Sequence, residues 1–240
     1  MKQYKNIDEF QSYLKSLENK EKIERSKIIT KTTLPVLGIN NPTLKNIAKD
    51  IYKNDFLNFL DLMIWDYYEN TIINGYLINK IKDFNTFKHY LDIYSKKIDN
   101  WASCDVLKFN VKNNEESFFN LSLEYSQSNL PFVRRIGMYI LFDFIINDNY
   151  INKIFHQLDT FTYEKHYYVN MMNAWLLCEC FIKQRDLTLK YLNNHKLNTF
   201  TINKAIQKCR ESYRVNKEDK ELLLKYKKRW SIYDTSSFCL

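Results

Sequence analysis

Apolar residues recur along this chain at three- and four-residue spacing from near its start to near its end. Between 41 and 52 the repeat is carried by Leu44, Ile47, Ala48 and Ile51, one face of a helix. The same period predicts helices over 6–17, 20–30, 55–65, 68–81, 85–97, 100–111, 115–126, 131–146, 150–158, 163–183, 186–192, 199–215 and 217–229. Asn41 is the expected N-cap of the helix at 41–52, with Pro42 at its first position. The connections are a few residues long, so sequence neighbours should pack as antiparallel pairs. From about residue 66 a helix pair returns every ~35–45 residues, near the period of HEAT-like repeats. The expectation is an all-α fold: an α-solenoid of antiparallel helix pairs, with a concave basic face. It should form one domain over 1–230, followed by a loosely ordered tail at 231–240.

Composition narrows this picture. Gly 3 and Pro 3 in 240 residues leave too few turn residues for a sandwich or barrel. They also leave no glycine-rich first turn for a dinucleotide fold. The formal net charge is +8, which suits either a polyanion partner or a solvated basic surface. Five cysteines without a CxxC pair read as small buried hydrophobes in a reducing compartment. The opening MKQYKNIDEF has no leader character and no apolar run reaches membrane length. The expectation is a cytoplasmic monomer.

The usual catalytic signatures are missing: no P-loop, no G-x-S-x-G, no H-E-x-x-H. His89, His156, His166 and His195 have no ligand spacing with one another or with cysteine, so neither metal nor cofactor is expected. Polar residues on apolar helices remain. Trp101 and Asp105 lie one turn apart and share a face. Trp175 and Glu179 repeat that arrangement, either as functional groups or as core tryptophans with polar neighbours. Arg134 and Arg135 occupy the first turn of the helix at 131–146, against the dipole preference. They suit either a phosphate or an internal carboxylate. On the helix at 199–215, Ile202, Ala205, Ile206, Cys209 and Tyr213 form the apolar stripe. Asn203, Gln207, Arg210 and Arg214 flank it on one side, and Lys204 and Lys208 on the other. Such an edge suits a phosphate backbone or plain solvation. Two indoles, a carboxylate and basic groups together suit a cation attached to a polyanion, as in an alkylated purine in DNA.

Six segments, in order, resemble the DNA alkylation repair proteins of the AlkD type, HEAT-like alkylpurine DNA glycosylases. They are LPVLGINNPTLKNIAKD, DYYENTIINGYLI, IDNWASCD, VRRIGMYILFDF, NAWLLCECFIK and INKAIQKCRESYRV, within about 34–229. The resemblance implies excision of positively charged N3- or N7-alkylpurines from double-stranded DNA. It places the site's residues at Trp101, Asp105, Arg135 (with Arg134 beside it) and Trp175. Asp105 would stabilise the oxocarbenium-like sugar and orient water. The indoles would pack on the cationic sugar and base, and the arginine would hold a phosphate. Lys204, Lys208, Arg210, Arg214 and Arg134 would grip DNA. Two positions depart from the pattern: Ala102 follows the first Trp, and Cys178 stands where a basic residue is expected. The alternative is a non-catalytic HEAT-like module that binds DNA or a protein through the same face. The four side chains are expected to converge on a solvent-open concave surface.

Overall fold

The computed structural model describes residues 6–229. The expected tail at 231–240, with Cys239, lies outside them. The described residues form α-helices and two 3-10 turns, with no β-strand among them. They divide into two compact units, the chain passing from the first to the second between Asn110 and Val111.

The first unit holds α1 (Ile7–Ser16), α2 (Lys20–Thr30), α3 (Asn41–Tyr52), α4 (Phe56–Asp61), α5 (Tyr68–Ile78), α6 (Phe84–Ser95) and α7 (Trp101–Asp105). Its centre is α5, buried on every side: only Tyr76 of its eleven residues reaches the surface. A helix without a polar face must be surrounded, and α3, α4, α6 and α7 all pack on it. By contrast, α2 buries only Thr30.

The second unit holds α8 (Glu115–Ser126), α9 (Pro131–Ile140), α10 (Asp148–Asp159), α11 (Tyr167–Lys183), α12 (Arg185–Leu192), α13 (Thr199–Glu211) and α14 (Lys217–Leu222). Its 3-10 turns are Leu141–Phe144 and Leu223–Tyr226. Here the all-round buried helix is α11, packed against α9, α12 and α13. α8 and α9 approach so closely that a Cβ on Gly137 would come within 2.8 Å of the Ser122 carbonyl oxygen.

Asparagine starts many of these helices. Asn6, Asn40, Asn100, Asn198 and Asn216 each accept a backbone N–H two or three residues into the helix that follows, a contact worth about 1 kcal/mol apiece. The cap of α3 is therefore Asn40, which accepts from the Thr43 N–H at 3.0 Å, and not Asn41. Pro42 still falls in the first turn.

Other boundaries also shift. The helix expected over 100–111 is a single turn. Asn79 accepts from the Lys108 N–H at 2.8 Å and donates to the Val106 carbonyl at 2.9 Å, which ties the chain after Asp105 to the end of α5. The helix expected over 131–146 breaks into α9 and the 3-10 turn Leu141–Phe144. The helix at 163–183 begins only at Tyr167, because Glu164 accepts the backbone N–H groups of Lys165 and His166. α13 stops at Glu211, so Tyr213 leaves the apolar stripe and stands 93 % exposed.

Candidate functional site

The expected site residues fall in both units: Trp101 and Asp105 in the first, Arg134, Arg135 and Trp175 in the second.

In the first unit, α7 carries Trp101 at its first position and Asp105 at its last, so one turn stacks them on one face. This turn is short but heavily fixed. Asn100 caps it through the Ser103 N–H at 2.9 Å. The Ser103 hydroxyl meets the Thr71 hydroxyl of α5 at 2.7 Å, and the buried Tyr94 phenol donates to the Ser103 carbonyl at 2.7 Å. Asp99, just before the cap, accepts from the Thr32 hydroxyl and from the Thr33 N–H and hydroxyl, at 2.5–2.6 Å. Burial pushes the Asp99 carboxyl up. The bonds from Thr32, Thr33 and Asn100 outweigh that and hold it below the ordinary aspartate value.

Trp101 is half-buried, and its indole N–H donates to the Ile29 carbonyl of α2 at 2.9 Å. It lines a groove of about 320 Å³ with Lys22, Arg25, Ser26 and Tyr68. Lys22 and Arg25 are both exposed. An indole beside two solvated cations offers a stacking surface and charge for a polyanion. Asp105 is half-buried.

Glu69 of α5, the helix on which α7 packs, is fully buried. It accepts the backbone N–H groups of Leu37, Gly38 and Ile39 at 2.9–3.3 Å. Burial raises its pKa above the ordinary glutamate value, and the bonds from those three N–H groups pull against the rise. The loop can wrap the carboxylate because Gly38 adopts φ +74°. A Cβ there would sit 2.4 Å from the Asn19 carbonyl oxygen.

In the second unit the seam between α9 and α11 carries the remaining residues. Arg135 is 4 % exposed and donates from Nη1 to the Tyr168 carbonyl at 2.7 Å. Arg134 forms a two-pronged pair with Glu164, Nε to Oε2 at 2.7 Å and Nη2 to Oε1 at 3.0 Å. Its Nη1 donates to the Ser128 carbonyl at 2.9 Å. Of the two readings for the arginine pair, the internal carboxylate is the one met at Arg134. Burial lowers the pKa of His166, which caps this corner. Glu164 opposes that shift, while Arg134 and Arg135 add to it. Trp175 is half-buried. It stacks on Tyr139 with ring centres 6.0 Å apart and takes the edge of Phe142 at 4.8 Å.

Of the expected DNA contacts on α13, Lys204 donates to Gln207 at 3.0 Å and lies over the Phe200 ring. Lys208 is half-buried and Arg210 is exposed. Arg214 lies beyond the end of α13 and forms a two-pronged pair with Glu179. The acid one turn from Trp175 is thus tied to an arginine.

Sequence reasoning missed Glu69, Asp99, Glu164 and the groove on α2. The local signals were a Thr-Thr pair after α2 and an Asp-Asn pair before Trp101, both turn-forming. Nothing local marked Glu69. Among the described residues no group of three His, Cys, Asp or Glu is arranged to hold a metal ion. No helix among them is long and apolar enough to cross a membrane.

Residues 10–209 match the family model of the DNA alkylation repair enzymes. No curated protein matches the chain.

Proposed function

Because the chain belongs to the DNA alkylation repair enzyme family, we propose that it hydrolyses the N-glycosidic bond of positively charged N3- and N7-alkylpurines in duplex DNA. The observation that carries this reading is the Trp101–Asp105 turn, fixed from three sides beside a groove with Lys22 and Arg25. A preorganised carboxylate is worth most where positive charge develops during reaction. The alkylated base already carries a positive charge, so the bond from sugar to base breaks with its electron pair passing to the purine. Water adds to the sugar carbon and gives up one proton. The products are the free alkylpurine and an abasic site. In this proposal Asp105 steadies the cationic sugar and orients the water, while Trp101 and Trp175 offer their faces to the cation. Arg134 is tied to Glu164 and Arg135 is 4 % exposed with Nη1 on the Tyr168 carbonyl, so in this reading a phosphate draws the Arg135 guanidinium away from that carbonyl. The helix pairs belong in this reading to a HEAT-like solenoid, acting as a monomer without a cofactor.

The test uses duplex DNA carrying N7-methylguanine, with chromatography of the free base released. Asp105→Asn is expected to lower the rate on the order of 10²-fold, the scale for removing one preorganised charge-stabilising group. Binding to the duplex should persist. Equal rates for Asp105→Asn and the parent protein would refute the role of Asp105. A second reading, a DNA-binding module without turnover, draws on one observation: Arg135, the arginine expected at the reacting site, is buried and held by the Tyr168 carbonyl, while Lys22, Arg25 and Arg210 are exposed. It predicts salt-sensitive binding with no base released.

A further inference from the structure

The last 3-10 turn and the residues after it carry Lys225, Lys227, Lys228 and Arg229, all exposed. The sequence places this run in the last turns of a helix over 217–229, whereas α14 ends at Leu222 and the 3-10 turn at Tyr226. The structure fixes the run. Asn203, buried within α13, donates from Nδ2 to the Lys228 carbonyl at 2.9 Å and accepts the Lys228 N–H at Oδ1, also 2.9 Å. The primary amide thus reads both backbone groups of one residue, as a neighbouring strand would. It is the same device by which Asn79 holds Val106 and Lys108. A groove of about 530 Å³ lies along the junction, lined by Asn203, Lys204, Gln207, Arg210, Glu211 and Lys227, among others. Its charged lining is three cations against one carboxylate, and Gln207 donates to that carboxylate at 2.8 Å.

We infer that 225–229, clamped to α13 by Asn203, forms a second row of phosphate contacts for duplex DNA beside Lys204 and Arg210. This rests on the proposed function and adds residues to its DNA-gripping surface. It also replaces Arg214, which is committed to Glu179. Charge complementarity selects the partner. A row of cations along a helix edge and an adjoining extended segment suits the regular charge of a nucleic-acid backbone. A protein partner would need an apolar or aromatic anchor at its centre. Among the described residues, the only exposed large apolar one lining this groove is Leu224. Asn203 is a positioning residue here, because it carries no charge and acts through Lys228.

The experiment is a titration of the full chain into undamaged duplex DNA at several potassium chloride concentrations, read by fluorescence anisotropy. The plot of log affinity against log salt falls by about 0.9 per phosphate neutralised. Lys227→Ala, Lys228→Ala and Arg229→Ala combined, all surface changes, should make that slope shallower by about two to three units. Asn203→Ala should make it shallower by about one unit or more with every cation retained, a change that a purely structural role would not produce in a protein that still melts cooperatively. If Asn203→Ala fails to fold, the triple variant still decides. An unchanged slope in a triple variant that binds DNA overturns this inference and leaves the glycosylase reading standing. A parent protein that binds no duplex at low salt, or that prefers an acidic protein, overturns both.

Discussion

Each unit is built on a central buried helix, and each of those helices buries a glutamate, but the two carboxylates are satisfied by different means. Glu69 of α5 is enclosed by backbone N–H groups of the loop at 37–39. Glu179 of α11 is answered by Arg214, whose own side chain is 42 % exposed. Backbone donors are fixed by the fold and carry no side-chain entropy, but they cannot move away if the acceptor changes. An arginine at the surface can swing into water. The first unit therefore holds its acid rigidly and the second holds it replaceably. The same contrast recurs in the candidate site, where the α7 turn is fixed by hydrogen bonds without an ion pair and the α9–α11 corner by the Arg134–Glu164 pair.

The largest expected effect tests that contrast directly. Glu69→Gln turns an amide group toward buried N–H donors and should lower unfolding stability by about 3 kcal/mol or more. Glu179→Gln should cost no more than about 1–2 kcal/mol, since Arg214 can turn to solvent. Urea midpoints with matched slopes measure both. Equal losses would break the comparison.

Gly38→Ala comes next. It forces a side chain into a left-handed backbone and against the Asn19 carbonyl. A loss of about 1–3 kcal/mol is expected in the same assay. A neutral result would mean that the loop at 37–39 is free to rearrange, and that its hold on Glu69 is not rigid.

The smallest effect concerns pH. The Asp99 carboxyl is held below its ordinary value. Its contribution is therefore present above the ordinary aspartate pKa of about 3.9 and is lost as pH falls below that value and through the lower folded one. Asp99→Asn should flatten the fall of the thermal midpoint as pH drops below about 4. Glu69, whose pKa is raised, runs the other way. Its contribution is present below the ordinary glutamate range and is lost as pH rises through the folded value. A variant at either position that leaves the pH profile of the midpoint unchanged would remove that carboxyl from the comparison.

How much of this was legible in the sequence depended on the range of the interaction. Helices governed by their own periodicity were readable, as with α8, found at the expected residues 115–126. The Trp101–Asp105 pairing was readable for the same reason, because one turn of helix suffices to stack them. The end of α7 was not readable. Its cause, Asn79, lies nearly thirty residues away in sequence and acts through two backbone groups. The partners of Glu69 and Arg134 are equally distant, about thirty residues each. Composition names an arginine but not its acceptor, so the choice between phosphate and carboxylate waited for the fold. Tyr213 was misplaced because an apolar stripe on a wheel assumes that the helix continues, and this one ends two residues earlier.

The tie between the Trp101 indole and the Ile29 carbonyl has a consequence for measurement. α2 contributes one buried side chain, Thr30, so its amide protons should exchange with deuterated solvent well before those of α5. Each excursion of α2 would also alter the surroundings of that indole. Its emission can then time the local opening of one helix while the remainder of the unit stays folded.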